Sequence, residues 1–118
     1  MFPDPLTVSG HACSYWTRGH TVVELSGGID LTVADEIAAL LEAAGARRGG
    51  SLVIDLSPTT FFGSSGLHLL SGTRDQVRSW GGTLHLVCPH ALTLRVLRLA
   101  GPFRVVATLD EALDRTPS

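Results

Sequence analysis

The sequence predicts an α/β fold: a mixed sheet of about five strands with about four helices, forming one domain over residues 1–118. Three observations point to it. Two strand-like segments open the chain as a hairpin, and strands and helices alternate strictly after them. Leu52, Val53, Ile54 and Leu56 form a nearly continuous apolar run, as in a strand covered on both faces. Such alternation requires crossover connections and gives a largely parallel inner sheet.

The elements follow in order. Leu6 to Trp16 alternates loosely and reads as a first strand; Arg18-Gly19-His20 turns it into a second, Thr21 to Leu25, which stops at Gly27-Gly28. A helix is expected from about Val33 to Ala46. Thr32 stands three residues before Asp35 as in a capping box, and Ile37, Leu40, Leu41 and Ala44 recur at helical spacing. Arg47-Arg48-Gly49-Gly50 ends it with cations near the negative end of the helix dipole. The third strand is Ser51 to Leu56. A second helix carries Leu67, Leu70, Arg74 and Val77 down one side, with Gly81-Gly82 beyond its end. Thr83 to Val87 is a fourth strand. Pro89 suits the start of a third helix, which runs to Ala100 and is stopped by Gly101-Pro102. Phe103 to Val106 is a short fifth strand, and Leu109 to Arg115 a last helix with Asp110 and Glu111 in its first turn.

Composition narrows the function. Hydrophobic residues make up 44% of the 118, enough for a packed core without disulfide or metal support. Net charge is −2, and the nine basic residues are spread along the chain rather than gathered in the patch of a nucleic-acid binder. No apolar segment approaches the ~20 residues of a membrane span. Met1-Phe2-Pro3-Asp4-Pro5 lacks the positive flank and apolar core of a signal peptide, so a cytoplasmic location is expected. Cys13 and Cys88 are then expected to stay as thiols.

Catalytic patterns fit poorly. Gly63-Ser64-Ser65-Gly66 approaches a nucleophile elbow, but Gly-x-Ser-x-Gly is not met around either serine. His68 stands four residues after Ser64 on the helix, without a third group to orient it. No phosphate-binding loop is present, and no cofactor is called for. His85, Cys88 and His90 are a weak metal signal, since His85 alternates with Leu84 and Leu86 and is expected to face away from the core.

The informative stretch is Asp55 to Leu67, which reads as a buried strand, a turn and two serines at the mouth of a helix. Amide groups at a helix start are unpaired and carry partial positive charge, so a phosphate on Ser64 or Ser65 would be stabilised there. The plainer alternative is Ser64 as an ordinary helix cap. Asp30 lies in the loop before the first helix. Loops that follow parallel strands emerge at the same end of the sheet, which brings Asp30 near the serines. There it either shapes the site or simply accepts backbone hydrogen bonds in its turn.

Two blocks carry a family resemblance. Glu24-Leu25-Ser26-Gly27-Gly28-Ile29-Asp30-Leu31 and Asp55-Leu56-Ser57 through Phe61, with Ser64-Ser65-Gly66-Leu67, resemble the STAS family and within it the single-domain anti-sigma factor antagonists. The resemblance covers nearly the whole chain. It implies a small α/β domain that is not an enzyme and that works by partner switching. In that scheme the antagonist binds an anti-sigma factor with serine kinase activity and so frees a sigma factor. The kinase phosphorylates the first serine, here Ser64, which breaks the complex, and a phosphatase resets it. Asp30, Gly63, Ser65 and Gly66 would shape the contact surface around Ser64, with Ser65 the alternative acceptor.

Two departures from the family pattern stand out. Gly63 occupies the position where the family carries aspartate, and Pro58 restricts a loop where glycine is common. Gly63 favours a second reading, a STAS binding or scaffold protein that does not use phosphorylation. A small serine hydrolase is the rival from another class, and a detached domain of the kind found on anion transporters, which would need a separate partner chain, is a third reading.

Overall fold

The computed structural model describes residues 5–8, 12–45, 50–101 and 103–114. Within them the chain runs β1 Pro5–Val8, β2 Ala12–Thr17, β3 His20–Leu25, β4 Gly27–Ile29, α1 Leu31–Gly45, β5 Ser51–Asp55, β6 Thr59–Phe62, α2 Ser64–Ser79, β7 Thr83–Val87, α3 Ala91–Ala100, β8 Val105–Val106 and α4 Leu109–Leu113. The main sheet has the order β1-β2-β3-β5-β7-β8. β1, β2 and β3 are antiparallel neighbours, whereas β3, β5, β7 and β8 are parallel. The expected mixed sheet and four helices are therefore present.

The start of the chain corrects one expectation. Leu6 to Trp16 is not one strand, because β1 and β2 pair back on each other with Val8 opposite Cys13. The composition of Ser9-Gly10 between them interrupts a strand and outweighs the loose alternation running through it; residues 9–11 lie outside the described residues. β2 and β3 are joined by Arg18 and Gly19, whose φ angles of 50° and 81° match a tight hairpin turn.

The central strands bury both faces. Val23, Ile54 and Leu86 pack with Ile37, Leu40, Leu70 and Leu97 beneath α1, α2 and α3. Val22, Val53 and Val87, alternating with them, pack with Ala112 and Leu113 of α4. This second layer accounts for His85: alternation does turn it from the main core, but α4 packs against β7, and the residue is buried rather than solvent-facing. Buried His20 links the same layer, its Nε2 donating to the Leu113 carbonyl at 3.1 Å and its Nδ1 meeting Ser51 Oγ at 2.7 Å. α4 begins at Thr108, whose hydroxyl accepts the Glu111 amide at 3.2 Å. Its expected end at Arg115 and the expected stop at Arg47-Arg48-Gly49 lie outside the described residues.

Helix starts differ from expectation by about two residues. α1 begins at Leu31, so Thr32 is inside it and Asp30 holds the position before the first turn. α2 begins at Ser64, so both serines are inside the helix instead of at its mouth, and α3 begins at Ala91 with His90 at its cap, not at Pro89. No described helix is long and apolar enough to cross a membrane.

Candidate functional site

The site is built on a small second sheet that pattern reading missed. β4 and β6 pair in parallel, Gly28 opposite Phe61 and Ile29 opposite Phe62, as a separate sheet whose strands follow the central strands β3 and β5 in the chain. Each strand runs directly into a helix, so their pairing sets the start of α1 beside the start of α2. The Gly63 amide continues the ladder by donating to the Ile29 carbonyl at 3.0 Å. Asp30 and Ser64, the residues after those two partners, emerge together.

The loop leading to Ser64 is pinned along its length. Asp55 Oδ1 accepts the Ser57 amide at 2.9 Å, and the Ser57 carbonyl accepts His90 Nε2 at 2.9 Å. Thr59 donates its hydroxyl to the Leu56 carbonyl at 2.6 Å, and the Pro58 carbonyl accepts the Gly27 amide at 3.2 Å. The Thr59 amide also donates to the Leu56 carbonyl at 3.0 Å, so Ser57 and Pro58 are the two central residues of a tight turn. A loop with this many internal bonds holds its last residues in one place.

Gly63 occupies the N-cap of α2 with φ −87° and ψ −175°, and it supplies no side-chain acceptor. Its carbonyl accepts the amides of Gly66 and Leu67 at 3.1 and 3.2 Å. Ser64 is thus the first helical residue rather than the cap, and among the described residues its hydroxyl has no hydrogen-bond partner. The Ser64 and Ser65 amides are the open donors of this helix end, where the dipole favours an anion. Ser64 and Asp30 are exposed, Gly63 and Ser65 half-buried, and Gly66 buried. Gly66 therefore stands where the first turn of α2 approaches the core.

Beside the serines a cavity of about 420 Å³ opens between α1 and α2, lined by Ala34, Asp35, Ser64, Ser65, His68 and Leu69. His68 does share this face with Ser64, as its spacing predicts, but among the described residues no hydrogen bond joins it to either serine. Ala34 and Asp35 were not anticipated here. Their signal was their position four and five residues after Asp30, one turn into the neighbouring helix. Among the described residues no group of three or more His, Cys, Asp or Glu is placed to hold a metal ion. Cys88 Sγ instead donates to the His90 carbonyl at 3.6 Å, and burial pushes its thiol pKa up.

The family model for the STAS domain matches residues 15–115. Anti-sigma-F factor antagonist RsfB of Mycobacterium tuberculosis is 36% identical over 119 aligned positions, covering 94% of this chain and 89% of that protein. An anti-sigma factor antagonist of Mycobacterium paratuberculosis superposes with a TM-score of 0.73 at 30% identity, over 86% of this chain and 89% of the other. SpoIIAA of Bacillus, solved in unphosphorylated and phosphorylated forms, gives a TM-score of 0.70 at 25% identity over 87% of this chain, and covers 94% and 96% of the two solved chains.

Proposed function

This chain belongs to the STAS domain family, and on that premise we propose that it is an anti-sigma factor antagonist controlled at Ser64. Unphosphorylated, it binds an anti-sigma factor with serine kinase activity in the cytoplasm, so that the bound sigma factor is released. Phosphorylated on Ser64, it dissociates, and a phosphatase returns it to the binding state. The whole chain, 1–118, serves as one binding domain rather than as an enzyme.

The observation that carries this reading is the placement of Ser64: exposed, without a hydrogen-bond partner among the described residues, and first in α2 beside Asp30. A hydroxyl spent on capping would be withheld from a kinase; this one is presented. Phosphate would add about −1.5 to −2 charges next to the open amides of Ser64 and Ser65, which the helix end tolerates. The partner would not tolerate it, because a closely packed interface cannot leave a dianion unpaired. Asp35 across the cavity and exposed Asp30 add like charge, so the phosphate projects toward whatever docks on this surface. Recovery of a phosphorylated form of SpoIIAA supports the same use of the fold.

Gly63 favours one second reading, a constitutive STAS binding or scaffold protein, because the cap lacks the carboxylate next to the acceptor serine. One experiment separates the two. The protein is incubated with ATP and the anti-sigma kinases encoded in the same genome, and intact mass, peptide mapping and complex formation are followed together. Phosphate on Ser64 with loss of the complex supports switching, and Ser64→Ala should then bind without being released. A stable complex with no phosphate would replace switching with constitutive binding.

A further inference from the structure

The other end of α2 holds a feature that the serine site does not use. Arg74 and Arg78 of α2, together with Arg104 before β8, line a cavity of about 100 Å³ closed by Gly82, Thr83 and Phe103. Three of the nine basic residues of the chain thus face one small space, and among the described residues no carboxylate lines it. Arg74 lies about ten residues along the helix from Ser64, roughly 15 Å at the usual rise, so the two sites are separate.

Arg74 is the unusual member. Its side chain is only 19% exposed, and its Nε and Nη1 atoms are buried without a hydrogen-bond acceptor among the described residues. Its guanidinium stacks on the Phe103 ring, 4.9 Å from the centroid, and its Nε lies 3.5 Å from Oδ1 of largely exposed Asp75. That last contact is an ion pair in distance only; it does not satisfy the Nε–H. Gly101 leaves room for the guanidinium: its φ of +152° suits glycine, and a Cβ there would lie 2.6 Å from Arg74 Nη1.

Offsetting the helix dipole explains one of the three arginines, Arg78 in the last turn of α2. It does not explain buried Arg74 one turn earlier, or Arg104 on a different element. Like charges gathered around one space repel, and buried donors without acceptors are destabilising until something accepts from them. A tetrahedral oxyanion offsets that repulsion, because guanidinium groups bind its oxygens through paired N–H donors. The volume sets the size. It is well below the roughly 300–1,000 Å³ of pockets that enclose drug-sized ligands, so only an inorganic ion or a terminal phosphoryl group fits.

We infer that the Arg74–Arg78–Arg104 cavity is a binding site for a small tetrahedral oxyanion of the phosphate type, distinct from the serine site. The test uses the isotope-labelled full chain, titrated with inorganic phosphate against chloride at matched ionic strength and followed by amide NMR. Saturable shifts at Gly82, Thr83 and Arg104 are expected, with affinity falling at least tenfold in the double variant Arg78→Ala/Arg104→Ala. Both replaced side chains are exposed, so that variant keeps its fold. Arg74→Gln, which removes the buried donors, should lose binding too, and the double variant keeps the test decisive should Arg74→Gln unfold. Glycerol phosphate in a parallel titration identifies the source: equal shifts mean that a phosphoryl group on a small molecule can enter, and no shift means that the free ion is the ligand. Shifts confined to Ser64–Leu67, or an affinity unchanged in the double variant, would overturn the site.

Discussion

The amide of Gly63 donates to the carbonyl of Ile29 at 3.0 Å, and this one bond joins the entrances of two helices. It extends the β4–β6 ladder by one step, so neither Asp30 nor Ser64 can move far without the other. The candidate site is therefore a property of two paired loops rather than of one serine motif. Its stiffness comes from backbone bonds, which leaves the side chains on its surface available for recognition.

Gly63 does not need to be glycine for conformational reasons. Its φ of −87° is open to any residue, and short side chains with an acceptor are favoured at an N-cap. Gly63→Asp is expected to fold normally and to gain a few tenths of a kcal/mol in urea unfolding. A loss above about 1 kcal/mol would show instead that the close approach to Ile29 excludes a side chain.

Ser64→Ala should leave stability within about 0.5 kcal/mol of the parent, because the hydroxyl is exposed and makes no bond among the described residues. The same variant should abolish kinase labelling. If its unfolding midpoint falls markedly, the hydroxyl has a structural role and its loss of labelling cannot be ascribed to the acceptor alone.

Much of this was legible in the residues. The apolar run at Leu52–Leu56 signals a strand covered on both sides, and β5 is that strand, buried throughout. The serine pair at a helix mouth was visible for the same reason, a strand followed by a turn and then by helical spacing. The pairing of Gly27–Ile29 with Thr59–Phe62 was not, because short strands containing glycine carry no periodic signal and gain their stability from each other. That pairing draws both helix starts forward, which is why the cap falls on Gly63 and Asp30 instead of Ser64 and Thr32. His85 was misjudged because alternation gives a face but not what covers it. The arginine cavity assembles residues about 30 positions apart and leaves no local pattern at all.

His20 should prove structurally costly to remove. The Leu113 carbonyl can only accept, so Nε2 carries the proton and Nδ1 accepts from Ser51 Oγ. His20→Ala leaves both partners buried without it and opens a void beneath α4, a loss of roughly 2–3 kcal/mol. Hydrogen exchange should show α4 loosening first. Unchanged protection of α4 together with an unchanged midpoint would mean that this link does not hold the helix.

Glu24 and Asp55 stand directly opposite each other on β3 and β5, an arrangement of like charges that destabilises a sheet. Burial, and then the Asp55 carboxylate, raise the Glu24 pKa above the usual 4.5. A carboxylate whose pKa is higher in the folded state is disfavoured there once ionised, so its cost is full above the folded pKa and fades below the unfolded one. Glu24→Gln is thus expected to stabilise the protein at neutral pH by roughly 0.2–1 kcal/mol, with the advantage vanishing near pH 4. An advantage that persists into acid would trace to packing, not charge.

Tyr15 reports on the same acidic pair from the neighbouring strand. Burial first, then the charges of Glu24, Asp55 and Cys13, push its phenol from 10.0 up to about 12. The sequence contains one tyrosine, so the ultraviolet signal of phenolate formation belongs to this residue alone. The folded protein should keep Tyr15 protonated through pH 10 and 11, where an unfolded chain ionises; stability must therefore decline as pH rises from about 10. In Glu24→Gln the midpoint should move down, because one of the repelling charges is gone while burial stays. A parent midpoint near 10 in protein that is still folded would mean that the phenol is solvated and does not sense the acidic pair.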